Sequence, residues 1–278
     1  PLRCAMVEVI LSFWVEQRKA DQVQLSQIVD LLTWASEVFI LFRCYVAPFR
    51  ALLAKAKKRS EASPLLSPCV LFDDESTNAI ATLHALFRRL RELPDDKPHF
   101  ELNANCLPDA PYTRAWRTDG STLHGLGVVD ITHHVALHRS WSNQERDEIK
   151  RSTDAELELN PTLQHNSSTH GEALAVQAAF LHCSLRPHEV LLLEVDSLAL
   201  ACIWKRGWSP VPGINKTILP LRVEAQLARA RVDVRQIDRE ENYSADALST
   251  QKPHAEVRQH LRQEFGESIA SKFRIREL

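Results

Sequence analysis

The chain has 278 residues, 34 Lys and Arg against 36 Asp and Glu, and a 44% apolar composition, enough for one large globular domain or two modest ones. A formal net charge of −2 excludes a molecule that gathers nucleic acid through a global basic field. The six cysteines form no CxxC pair and no His/Cys zinc spacing, so they read as reduced thiols of a cytoplasmic or nuclear protein.

Pro1 in place of an initiator Met suggests a fragment or a segment of a longer polyprotein. The apolar stretch 28–49 is interrupted by Asp30, Glu37 and Arg43, which argues against a membrane span. Residues 1–95 read as all-helical: Val7, Ile10, Leu11 and Trp14 recur at helical spacing, as do Leu25, Ile28, Leu31, Leu32 and Ala35,. Pro48 is expected to end or kink the helix that contains it. "SEASPLLSPC" has linker composition. Asp73 and Asp74 in "FDDES" read as helix-start acids, and Ile80, Leu83, Phe87 and Leu90 share one face of the helix that follows. "ELPDDKP" then places a domain boundary near 94–110.

Beyond the boundary the period changes. "TRAWRT" (113–118), "LGVVDIT" (126–132) and "HVALHRSW" (134–141) read as strands, the first two joined by a turn with Gly120 and Gly125,. A polar stretch, 142–168, shows little periodicity. "GEALAVQAAFLHC" reads as a helix, "EVLLLEVDS" as a buried strand, and "SLALACIWKRG" as a helix. "INKTILPLRVEAQLARA" is another helix, with Pro220 expected in its early turns. "RVDVRQID" is a strand, and a short helix at 244–250 and a polar helical tail at 253–278 close the chain. Three consecutive strands favour an antiparallel meander, and the later strand–helix–strand units favour parallel pairing. The expected fold is α/β: a mixed five-stranded sheet flanked by helices over 110–252, behind an all-helical segment.

Four acids stand where strands end or helices begin. Asp119 ends the first strand, in "RTDGS"; Glu172 opens the first helix, in "THGEALA"; Asp196 ends the fourth strand, in "LLLEVDS"; Asp246 opens the short helix in "NYSADALS". Such positions gather at the edges of open α/β sheets, where ligands bind. Four converging carboxylates repel unless cations neutralise them. Oxygen-only donors suit Mg²⁺, and a pair of such ions roughly 4 Å apart serves phosphodiester chemistry.

These frames, "TDGS" followed by "GLGVV", "HGEALAVQAAF", "LLLEVDSLALACIWKRG" and "NYSADALS", resemble the type-1 ribonuclease H family, in the version carried by retroelement reverse transcriptases. The likeness covers roughly 110–250. It implies a ribonuclease H-like fold and cleavage of the RNA strand of RNA–DNA hybrids. It also implies that Asp119, Glu172, Asp196 and Asp246 are the catalytic residues and ligate two Mg²⁺ ions, with Mn²⁺ as a substitute. Integrases and transposases place a glutamate last, so an integrase-like nuclease would need Glu256 to approach Asp119 and Asp196. Residues 1–95 resemble the thumb or connection helices of a reverse transcriptase. A polymerase palm domain would then lie upstream of this chain, which lacks the polymerase aspartate motif. Arg50, Lys55, Lys57 and Lys58 are candidate contacts guiding a hybrid to the cleft. The alternative expectation is a catalytically inactive ribonuclease H-like domain that binds nucleic acid or plays a structural role in a decayed polyprotein.

Overall fold

The structure is a computed structural model that describes residues 2–38, 43–62, 69–92, 111–160, 168–182, 185–187, 189–228 and 230–278. Its chain divides into two compact units, Pro1–Glu101 and Leu102–Leu278.

The first unit contains helices α1 (Leu2–Gln17), α2 (Gln22–Val38), α3 (Arg43–Ala62) and α4 (Asp74–Glu92), with strands β1 (Lys19–Asp21) and β2 (Cys69–Leu71). The helical spacing is realised as burial: Val7, Leu11 and Trp14 of α1, Leu25, Ile28 and Leu32 of α2, and Ile80, Leu83 and Phe87 of α4 are all in the core. The Trp14 ring packs on Phe49 and Phe72, 6.4 and 5.9 Å between centroids. Two expectations change. The unit is not all-helical, because β1 and β2 form an antiparallel ribbon with Ala20 opposite Val70. Of the two outcomes expected at Pro48, an end or a kink, the end does not occur, since α3 runs on through it to Ala62. At the start of α4, Asp73 accepts from the Ser76 amide at 2.9 Å, and Asp74 pairs with Arg18. Among the described residues no helix is long and apolar enough to cross a membrane.

The second unit is built on a six-stranded mixed sheet. Its elements are β3 (Arg114–Gly120), β4 (Gly125–Asp130), β5 (Val135–Ser140), α5 (Asn143–Leu159), α6 (Thr169–His182), β6 (Val190–Val195), α7 (Leu198–Arg206), α8 (Pro212–Leu227), β7 (Arg231–Gln236), α9 (Tyr243–Ser249), α10 (His254–Phe265), α11 (Glu267–Ala270) and β8 (Arg274–Glu277). The order across the sheet is β7-β6-β3-β4-β5-β8. β3, β4 and β5 form the antiparallel meander; β6 lies parallel to β3, and β7 parallel to β6.

Strand alternation sends side chains to two cores. Leu126, Val128, Leu137, Leu191 and Leu193 meet Ala175, Phe180, Ile203 and Ile214 on one face. Val129 and Ala136 meet Ala245, Leu248, Val257 and Leu261 on the other. This is the period-2 pattern of a sheet covered on both sides.

Three features depart from expectation. The sheet has six strands rather than five, because residues 253–278 are not only a helical tail: β8 pairs parallel with β5, Ala136 beside Ile275. The polar stretch 142–168 contains α5, started by a capping box in which Ser142 and Glu145 each bond the other's backbone amide,; residues 161–167 lie outside the described set. Pro220 sits in the body of α8 rather than in its early turns.

Candidate metal centre

Register and local sequence bring the acids together. Thr118 pairs with Val195 across the parallel β3–β6 ladder, so Asp119 and Asp196 emerge side by side as the two strands end. Glu172 arrives from the first turn of α6. That turn can approach because residue 120 has no side chain: a Cβ there would lie 2.1 Å from the Gly171 carbonyl. Asp246 is carried by α9, which lies against β4 so closely that a Cβ on Gly127 would sit 2.2 Å from the Ala245 oxygen. The small, buried Ala245 and Ala247 are what this docking requires.

Asp119, Glu172 and Asp196 each offer a carboxylate oxygen within 4.8 Å of the other two. Asp246 lines the same cleft, about 460 Å³ in volume, without joining that group of three. Its Oδ1 accepts from Arg239 Nη2 at 2.9 Å. Ser249 Oγ donates to Asp119 Oδ2, fixing that carboxylate from the helix that carries Asp246. Burial, followed by the charges of Asp196 and Asp246, pushes the Asp119 carboxyl from 3.8 up to about 6, although the Ser249 hydrogen bond opposes the rise. Glu172 is held well above the ordinary carboxylate range, first by burial and then by the charges of Asp119 and Asp196.

The residues fit a hard divalent cation. All three converging donors are carboxylate oxygens, and Glu172 Oε2 is buried without a hydrogen-bond partner among the described residues. An unpaired buried oxygen costs free energy that a cation would recover, and Mg²⁺ takes such ligands.

A second charged group lies on the same face of the sheet, centred on Arg117, two residues before Asp119 on β3,. Glu194, two residues before Asp196, is buried; its carboxylate accepts from Arg117 Nε at 2.9 Å and also from Arg235. Arg117 Nη1 also donates to Glu264 Oε2 at 3.0 Å and to the Glu241 carbonyl. Glu264 Oε1 accepts from the Ser244 amide at 2.6 Å, and Asn242 Nδ2 donates to the Thr118 carbonyl at 3.1 Å. These bonds pin the start of α9 and hence the placement of Asp246.

No protein-family model matches this chain, and no curated protein matches it.

Of the remaining expected residues, Glu256 pairs with Lys252 at 3.3 Å and does not line the cleft, so the late-glutamate arrangement of integrases is not formed. Arg50, Lys55, Lys57 and Lys58 are exposed on α3 of the first unit, where Arg50 donates to Thr33 and Lys55 lies 3.7 Å from Asp73. Among the cleft residues that escaped the sequence reading are two that can carry positive charge. Arg239 stands seven residues before Asp246, and His124 lies in the turn just after Asp119 and Gly120. Proximity to an expected ligand was the available signal for both.

Proposed function

We propose that this chain carries a divalent-cation-dependent endoribonuclease of the ribonuclease H type. It would cleave the RNA strand of RNA–DNA hybrids as part of a retroelement reverse transcriptase. The observation that carries the reading is the convergence of Asp119, Glu172 and Asp196 to within 4.8 Å, with Asp246 in the same cleft. Chain order, strand ends and helix starts match the sequence frames that resemble the family.

Asp119, Glu172 and Asp196 would hold the first cation, and Asp246 with Asp119 would complete the site for a second. When bound, such ions supply Lewis-acid polarisation of the phosphodiester and lower the pKa of water. The protein's own part is positioning. Ser249 fixes the Asp119 carboxylate, the Gly120–Gly171 approach sets Glu172, and burial strengthens every charge interaction in the cleft,. A cleft lined by carboxylates and hydroxyls would meet a substrate through its backbone and shape, as an A-like hybrid with exposed 2′-hydroxyls requires,.

The test is cleavage of an end-labelled RNA–DNA hybrid in Mg²⁺ by the full chain and by Asp119→Asn and Glu172→Gln. Wild-type cleavage that both substitutions abolish supports the reading; no cleavage by wild type, or equal cleavage by Asp119→Asn, sinks it. The Arg239–Asp246 pair, which engages the fourth acid, favours a second reading, a domain that binds nucleic acid without turnover. Hybrid binding with no cation-dependent cleavage in the same assay selects it.

A further inference from the structure

Among the described residues four carboxylates line the cleft, yet only three gather. The fourth is held by a cation that the chain itself provides. Arg239 lies in the loop between β7 and α9, within a 3-10 turn spanning Arg239–Glu241, and its Nη2 is 2.9 Å from Asp246 Oδ1. Its side chain is 73% exposed, so the guanidinium reaches into the cleft from an otherwise solvated stem. A divalent ion ligated by Asp246 would need to sit about 2.1 Å from a carboxylate oxygen. The guanidinium is already hydrogen-bonded to one of the two, and its charge repels the ion at close range.

We infer that Arg239 is a tethered cation that takes the place of the second metal ion in the substrate-free protein and keeps Asp246 out of the ligand set. The inference rests on the metal reading above and adds a regulatory step to it. The free site is a one-ion site, and the second ion enters only when Arg239 leaves Asp246. The exposed stem gives the side chain room to turn outward, and a substrate phosphate is the natural acceptor for a guanidinium released at the mouth of the cleft.

The experiment counts Mn²⁺ ions by electron paramagnetic resonance titration of the full chain at pH 7.5, without nucleic acid. Wild type is expected to bind one ion tightly and a second weakly. Arg239→Ala should tighten the second site at least about tenfold and leave the first in place. Arg235→Ala, which removes a cation that pairs with Glu194 instead, should leave the second site as in wild type. An unchanged second site in Arg239→Ala, or equal tightening in Arg235→Ala, overturns the inference while the first ion still supports the metal reading. If wild type binds no ion that Asp119→Asn removes, the metal reading itself fails.

Discussion

Replacing Asp119 by Asn should stabilise the protein in the absence of divalent cations, although it removes a proposed ligand. The Asp119 carboxyl rises from 3.8 unfolded to about 6 folded, a gap worth about 3 kcal/mol at roughly 1.4 kcal/mol per pH unit. The folded state therefore binds the proton more tightly, and stability from this group is fully present below pH 3.8 and lost as pH rises through about 6,. At pH 7.5 the carboxylate is charged in both states and the whole penalty applies. Asn has nearly the shape of the protonated acid and still accepts from Ser249, so it avoids the penalty. It also removes one of the charges that raise Glu172. The expected gain at pH 7.5 is about 3 kcal/mol, or roughly 6–12 °C in Tm for a unit of this size. Thermal melts of the full chain in EDTA, from pH 4 to 8, measure it. The wild type and Asp119→Asn should melt together near pH 4 and separate progressively up to pH 7. A variant no more stable than wild type at pH 7.5, or a gap that does not close at low pH, refutes the electrostatic account of the cleft.

The same linkage makes cation affinity pH-dependent. Below pH 6 a proton on Asp119 competes with the ion, so Mn²⁺ affinity should weaken by up to about tenfold per pH unit there and level off above it; a flat profile from pH 5 to 8 in calorimetric titrations contradicts this. Adding Mg²⁺ at pH 7.5 should raise the Tm of wild type and leave that of Asp119→Asn unmoved, checked by the same melts. Arg117→Met removes the cation shared by Glu194 and Glu264, leaving Glu194 with Arg235 and Glu264 with the Ser244 amide, and should cost about 2–3 kcal/mol in urea unfolding; a loss under about 1 kcal/mol would show that these remaining partners and solvent compensate the charges. Gly120→Ala drives a methyl into the Gly171 backbone and should displace α6, lowering Tm and weakening Mn²⁺ binding together. Unchanged binding would separate the glycine from the site.

Much of the second unit was legible because its elements carry strong periods. The run "EVLLLEVDS" reads as a central strand since both faces of β6 are buried, and "HGEALAVQAAF" reads as a helix because α6 is buried nearly all round. The acids were legible as strand and helix termini, and register did the rest. Other parts were not. The buried contacts of α5 are Ile149 with Ser152 and Thr153, so polar residues fill places where a hydrophobic stripe would have announced a helix; only the Ser142–Glu145 capping box marked its start. β8 reads "RIRE" with one partly buried apolar residue, and an edge strand of that kind has no pattern of its own. Nothing in the sequence of β6 marks Glu194 as paired, because its partner Arg117 lies in a different strand. Charge pairing across a sheet is a property of the register, which a single strand does not contain. The Arg239–Asp246 contact failed to show for a similar reason: seven residues along a chain that turns through a 3-10 loop do not specify which oxygen a guanidinium meets.

The place of β8 has a consequence for how the molecule is made. β5 finds its outer neighbour only in a segment about 140 residues further along the chain. As the polypeptide leaves the ribosome, the meander can form early, but its β5 edge stays open until nearly all of the unit has been synthesised. An open edge is a template for strand addition by another chain, and late, non-local closure lengthens that exposure. Chain produced slowly or shortened before Arg274 is therefore the form most exposed to self-association, and the charged residues of "RIRE" act as the cap that ends it.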